Sequence, residues 1–143
     1  MARISLTDDL QTGSSLIDGD HRSLIGFVNI LFKAMESGHG SQHISEAMTN
    51  LVAYTQEHFG REEAEMERIQ YVASLAHQTE HAKLLKQLVE LKAMLDAGGR
   101  INDPAVSEFL GEWLRDHILA TDMKLAAALK LHSDSAPLAQ LHY

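Results

Sequence analysis

Apolar residues recur at three- and four-residue intervals through four long stretches of this 143-residue chain, and nowhere do they alternate with polar ones. That period belongs to an amphipathic helix and argues against strands. The first stretch opens near Asp18, a residue able to cap the free N–H groups of a first turn. It carries Leu24, Ile25, Val28, Leu31, Phe32 and Met35, and Gly38 ends it in the loop SGHGSQ. The second, from about Ser41 to Ile69, carries Ile44, Met48, Leu51, Val52, Thr55, Phe59 and Met66. The third opens near Ser74 and runs through Leu84, Leu85, Leu88, Leu91 and Leu95 to Gly98 and Gly99. The fourth opens at Asp103-Pro104, a cap followed by a first-turn proline, and carries Val106, Leu110, Trp113, Leu114, Ile118, Leu125 and Leu129. Four such helices with short connections predict an all-α fold, an antiparallel up-down-up-down four-helix bundle with a non-helical N-terminal arm. The expected layout is a single domain over 1–143, with the arm at 1–17, the bundle at 18–131 and a C-terminal tail at 132–143.

Composition narrows the function. Cysteine is absent, which excludes disulfides, thiol catalysis and thiolate-bound metal. No run approaches the ~20 apolar residues of a membrane span, and the N-terminus MARISLTDDLQTG lacks the apolar segment of a signal peptide. A cytoplasmic, bacterial-type protein is expected. A formal charge of −8 disfavours nucleic acid and anionic lipid, so neither is an expected partner.

Nine histidines are present, an excess in a chain of this length. His58 and Glu62 lie four apart on the second helix, on the face that carries Leu51, Thr55 and Met66. His77 and His81 are four apart on the third and continue into Leu84, Leu88 and Leu91. His117 shares the stripe of Val106, Leu110 and Trp113, whereas Asp122 falls on the neighbouring stripe. A spacing of five turns an α-helix by about 140°, so these two are expected to reach the core from its opposite edges. His21 stands in the first turn of helix one, on the Leu24 side. Alternating helix direction brings all seven towards one part of the bundle. His39 and His43 are also four apart but flank Gly40 in a loop with no apolar stripe, so no metal role is assigned to them, nor to His132 and His142 in or near the tail. Five imidazoles and two carboxylates buried with nothing to bind would cost several kcal/mol each, and no Arg or Lys on those faces matches them. A metal site is the reading that removes this cost.

Seven N/O donors are too many for one tetrahedral zinc, and imidazole with carboxylate suits iron. Two octahedral irons offer about twelve positions. Five histidines, two bridging carboxylates and one bridging oxide or hydroxide leave one position open, sized for a diatomic ligand. The cofactor expected is therefore a pair of iron ions in an oxo- or hydroxo-bridged non-haem centre. Di-iron oxygenases of similar architecture use more carboxylates. A histidine-rich set favours lower oxidation states, and so reversible O2 binding over O2 cleavage.

The stretches IDGDH (17–21), YTQEHFGREEAEM (54–66), HQTEH (77–81) and FLGEWLRDHILATD (109–122) together resemble the hemerythrins, specifically the single-domain bacterial type. The resemblance spans Leu16 to Leu129. It implies that His77, His81 and His117 fill one iron, that His21 and His58 bind the iron with the open position, and that Glu62 and Asp122 bridge. It also implies that Leu24, Phe59, Trp113 and Leu119 line the O2 pocket. Three features depart from what is common in bacterial members. The arm reads ISLTDDL without an early Trp, Asp20 stands where Gln often precedes the first ligand, and Tyr71-Val72 stands where Tyr-Pro is frequent. None of these is a ligand.

Met35, Met48, Met66 and Met94 are read as core filler, Glu57, Glu63 and Glu65 as solvated charges, and Tyr54 and Tyr71 as packing residues with a hydroxyl partner. The tail is expected either to dock through Leu138 and Leu141 or to form only a disordered end. No catalytic set is visible outside the metal donors. The function expected is a non-enzymatic O2 carrier for storage, delivery or scavenging, with NO and small anions such as azide as further ligands, in a monomer or weak homo-oligomer. The competing readings are a sensor of O2, NO or redox state that signals to a partner, and iron storage or NO detoxification.

Overall fold

A computed structural model describes residues 7–37, 41–97 and 103–140, with side chains described at all of these except 8, 37, 41, 103, 118, 119 and 135–140. The helices are α1 (Ser15–Ser37), α2 (Ser41–Arg68), α3 (Ser74–Asp96), α4 (Asp103–Asp116) and α5 (Met123–Gln140). One π-helical turn, His117–Asp122, joins α4 to α5, so the last three elements form a single fourth rod. Among the described residues there is no strand. Nor is any helix among them long and apolar enough to cross a membrane. α1 packs along α2, α2 along α3, and α1 also meets α4. Long neighbours in sequence that pack side by side across short connections must reverse direction, and the result is the expected four-helix bundle.

Helix one starts earlier than Asp18. Ser14 is the cap: its hydroxyl accepts from the Ile17 N–H at 3.3 Å. Asp18 instead sits inside the first turn and reaches back to the arm. It accepts from the Thr12 N–H and hydroxyl, both at 2.8 Å, and from the Gly13 N–H at 3.2 Å. Gly13 adopts φ +86°, a left-handed conformation that suits glycine at this bend. The arm is thereby held against the bundle, with a short 3-10 turn at Asp8–Leu10 that buries Leu10.

The end of α2 is closed by a Schellman motif. The Tyr71 N–H donates to the Met66 carbonyl at 2.9 Å and the Gln70 N–H to the Glu67 carbonyl at 3.1 Å. Gln70 takes the left-handed position, φ +52°, without being glycine. At the other end of the chain, α5 runs on to Gln140, past Leu131. The segment SDSAPL holds no glycine, but its Pro137 has no backbone N–H to donate, so that turn of α5 lacks one i→i−4 hydrogen bond. Leu141 and the side chain of Leu138 lie outside the described residues, as do the turn glycines Gly38, Gly98 and Gly99.

The core falls into two parts. The larger includes Leu24, Val28, Leu31, Phe32, Met48, Leu51, Phe59, Leu84, Leu88, Leu110 and Trp113. A smaller one, near the start of α1 and the end of α2, joins Ile17, Met66, Leu125 and Ala126. Between them lies a polar layer. His21 falls between Ile17 and Leu24, Glu62 between Phe59 and Met66, and Asp122 between Leu114 and Leu125. Met48 and Met66 fill the core as expected and Met35 packs at its edge, but Met94 is exposed, since its side of α3 faces away from the bundle.

Candidate metal centre

The helical period places one or two polar residues per helix in the layer between the two apolar cores, and the fold brings all seven together. His21, His58, Glu62, His77, His81, His117 and Asp122 are each 3% exposed or less. Every histidine presents Nε2 to a carboxylate. His21 lies 2.6 Å from Asp122 Oδ2, and His58 lies 3.4 Å from both Glu62 Oε2 and Asp122 Oδ2. His77 is 3.3 Å from Glu62 Oε1 and 3.1 Å from Asp122 Oδ1. His81 is 2.8 Å from Glu62 Oε1, and His117 is 2.9 Å from Asp122 Oδ2 and 3.7 Å from Glu62 Oε1.

The donors resolve into two overlapping sets, in each of which all donor atoms lie within 4.8 Å of one another. One is His21, His58, Glu62, His117 and Asp122; the other is Glu62, His77, His81, His117 and Asp122. The carboxylates are shared. Glu62 turns Oε2 to His58 and Oε1 to His77 and His81. Asp122 turns Oδ1 to His77 and Oδ2 to His21 and His58. His117 belongs to both sets and stands between them.

His117 and Asp122 do not approach from opposite edges. In a π turn the i→i+5 ladder returns residue i+5 above residue i, as i+4 returns in an α-helix. The turn thus lifts Asp122 onto the His117 face, where a continuous α-helix would have left it on the adjoining one.

A metal accounts for polar atoms that hydrogen bonding leaves over. Among the described residues, six buried side-chain atoms lack a hydrogen-bond partner: His58 Nε2, Glu62 Oε2, His117 Nε2 and Asp122 Oδ1 within the cluster, and His21 Nδ1 and His117 Nδ1 on the far side of their rings, which a metal would leave as they are. His117 Nε2 is close enough to Asp122 Oδ2 to bond but is not aligned to do so. Each orphaned atom costs about 1–3 kcal/mol. Donors directed at shared space rather than at one another are what a cation between them would satisfy, so the residues present fit a metal. Without one, opposite charges must compensate. Burial opposes ionisation of Glu62, but the His117, His77 and His81 imidazoles beside it outweigh that and hold the carboxyl at about 2. Burial likewise opposes charge on Asp122, and His117, His21 and His58 hold it well below the usual range. In return His58 is raised to about 9 and His117 to about 10, despite burial that pushes both down.

Outside the donors lie contacts that sequence periodicity did not reveal. His58 Nδ1 is 3.1 Å from Asp20 Oδ2. Asp20 also accepts from Arg61 Nε at 2.9 Å, Arg61 Nη2 at 2.7 Å and the Tyr54 hydroxyl at 2.8 Å. His81 Nδ1 is 3.0 Å from Glu63 Oε2, so Glu63 is not simply a solvated charge; Glu65 pairs with Arg68. The signal that could have found Glu63 is its place beside Glu62 on the side of α2 that faces α3. Phe59 stacks on His81, with ring centroids 3.9 Å apart and planes 7° from parallel. Trp113 is buried and donates from Nε1 to the Leu84 carbonyl at 3.1 Å. Leu24 is fully buried in the same core as Phe59 and Trp113. Leu119 lies in the π turn, its side chain outside the described residues. His43 and His132 are exposed and belong to neither donor set, and His39 and His142 lie outside the described residues.

Residues 12–129 match the family model described as the Hemerythrin HHE cation binding domain. A bacteriohemerythrin of Pseudomonas paraeruginosa is 34% identical over 137 residues, covering 94% of this chain and 86% of that protein. Myohemerythrin-1 of Phascolopsis gouldii is 30% identical over 113 residues, covering 79% and 83%. The crystal structure of a wild-type hemerythrin superposes with a TM-score of 0.80 at 27% identity, covering 90% of this chain and 98% of that one. With its buried two-set donor cluster, four-helix bundle and these relatives, the chain belongs to the hemerythrin family.

Proposed function

We propose that this protein holds two irons among its seven donors and binds O2 reversibly at the one position the donors leave open. The observation that carries this is the pair of five-donor sets sharing Glu62, His117 and Asp122, fully sequestered from water. In this reading Glu62 and Asp122, which belong to both donor sets, would be ligands shared by the two irons. His77, His81 and His117 complete one iron, while His21 and His58 hold the other and leave its last position free. The split of Glu62 between His58 and the His77/His81 pair supports that division. The di-iron centre supplies the electrons and the vacant site that O2 binding requires.

The chain's own residues govern access and reversibility. Leu24, Phe59 and Trp113, buried in one core, would give the open position apolar surroundings that exclude water and stray protons, and Leu119 is assigned with them from the sequence resemblance alone. Phe59 also holds the His81 ring in place by stacking. Five neutral imidazoles against two carboxylates keep the centre short of the anionic donors that favour high oxidation states, so binding rather than turnover follows. The role is a non-enzymatic one of O2 storage, delivery or scavenging in the cytoplasm, and NO or azide would compete for the same position.

The reduced protein, exposed to air, should gain a visible charge-transfer band that fades when O2 is removed and returns when it is restored. Rapid irreversible oxidation with no such band would overturn the carrier role.

A further inference from the structure

Two of the five histidines have their outward ring nitrogen bound by a carboxylate, and the two carboxylates are built differently. Glu63, beside His81, has a side chain 38% exposed. Asp20, beside His58, is 9% exposed and receives three hydrogen bonds besides that of His58. Arg61 grips it through two nitrogens in the fork geometry that guanidinium and carboxylate share. The Arg61 guanidinium also lies 5.3 Å from the centre of the Tyr54 ring. Asp20, Tyr54 and Arg61 therefore fix one another, across α1 and α2, in a single arrangement.

A carboxylate only accepts hydrogen bonds. In the neutral ring that metal binding requires, the proton between Asp20 Oδ2 and His58 must therefore sit on Nδ1, which leaves the Nε2 lone pair for the metal. A negative acceptor behind an imidazole also increases electron donation from the opposite nitrogen. A neutral amide at this position would offer an acceptor without that charge. Arg61 tempers the effect, because its own charge neutralises part of the carboxylate.

We propose that Asp20, clamped by Arg61 and Tyr54, is a positioning residue that fixes the Nδ1–H tautomer of His58 and lowers the reduction potential of the metal His58 holds. This rests on the di-iron reading. It assigns that role to Asp20 and Arg61 together, with opposite signs. The partly solvated Glu63 is the weaker counterpart at the other metal, since water and salt screen its charge.

Variants separate charge from shape. Asp20→Asn keeps an oxygen that can accept from His58 Nδ1 but removes the charge. Asp20→Ala removes both. Arg61→Gln leaves the carboxylate uncompensated, and because Arg61 is partly exposed this variant should fold. Each would be titrated anaerobically with Fe(II), counted for iron, and its midpoint potential measured. Asp20→Ala should weaken binding of one of the two irons about 10–100-fold. Asp20→Asn should keep two irons and raise the potential; Arg61→Gln should lower it; Glu63→Gln should raise it by less than Asp20→Asn. A purely structural role would not give opposite shifts for Asp20→Asn and Arg61→Gln. Shifts in the same direction, or wild-type potential and affinity in Asp20→Asn, would overturn the proposal alone. Fewer than two irons in the wild-type protein would overturn the di-iron reading and this proposal with it.

Discussion

His117 and Asp122, five residues apart, bring Nε2 and Oδ2 to within 2.9 Å across a single π turn. One residue more than an α-helical turn is what places both on the inner face. α5 continues beyond the turn with Leu125 and Ala126 still in the core.

Asp122 reaches His77 with one oxygen and His21, His58 and His117 with the other. Asp122→Asn preserves its volume but replaces a shared anion by an amide with one acceptor oxygen. Metal content should fall from two per chain to one or fewer while helix content by circular dichroism stays at the wild-type level. Two metals retained would mean that Asp122 is not a bridge.

Protonation of the metal-free cluster has a definite sign. Burial depresses the His58 imidazolium, but Asp122, Asp20 and Glu62 overcome it and raise the group to about 9; Asp122 and Glu62 likewise overcome burial at His117 and raise it to about 10. Both values lie above the ordinary 6.5, so these groups stabilise the fold fully below pH 6.5 and lose that contribution as pH rises through 9 and 10. Glu62, held at about 2, contributes above its ordinary 4.5 and loses its contribution as pH falls towards 2. Urea unfolding of the metal-free protein should show stability falling from pH 6 to pH 10, by an amount of order 3 kcal/mol for His58. Metal needs neutral imidazoles, so loading at pH 7 should release about two protons per chain into weak buffer. A flat profile between pH 6 and 10, or no proton release, would contradict this electrostatic account.

The donor layer was legible because ligands at i and i+4 on an amphipathic helix share a face, and the apolar residues around them mark that face as inward. His58, Glu62, His77 and His81 all follow that rule. The π turn was not, because an added residue shifts the stripe without breaking it. Its trace was the spacing itself, since two polar residues five apart stand about 140° apart on an α-helix and could reach one core only from its opposite edges. Asp18 was misread as a cap because capping residues and first-turn acids have the same composition; only the hydrogen bonds of Ser14 and Thr12 separate them. The Asp20–Tyr54–Arg61 cluster depends on how α1 and α2 are rotated against each other, which one helix's period does not encode.

Gln70 occupies the left-handed position of the Schellman motif at the end of α2, where a Cβ is a liability. Gln70→Gly should stabilise the protein by about 0.5–1 kcal/mol, raising the melting temperature by about 2–4 °C with metal content unchanged. Destabilisation would show that the Gln70 side chain makes a contact worth more than the backbone strain.

Trp113 ties α4 to α3 through its hydrogen bond to the Leu84 carbonyl. Trp113→Phe keeps most of the apolar surface and removes that donor, so unfolding free energy should drop by about 1 kcal/mol while both metals remain. An unchanged unfolding free energy would mean that the bond adds nothing beyond packing.

Seven residues from four helical rods that build one dinuclear site must bind two irons and no more. Anaerobic titration of metal-free protein with Fe(II), followed by a count of bound iron, tests it most directly. Saturation at two irons per chain is expected, with loss of both sites in a Glu62→Ala/Asp122→Ala variant. Saturation at one iron, or two irons still bound without those carboxylates, would contradict it.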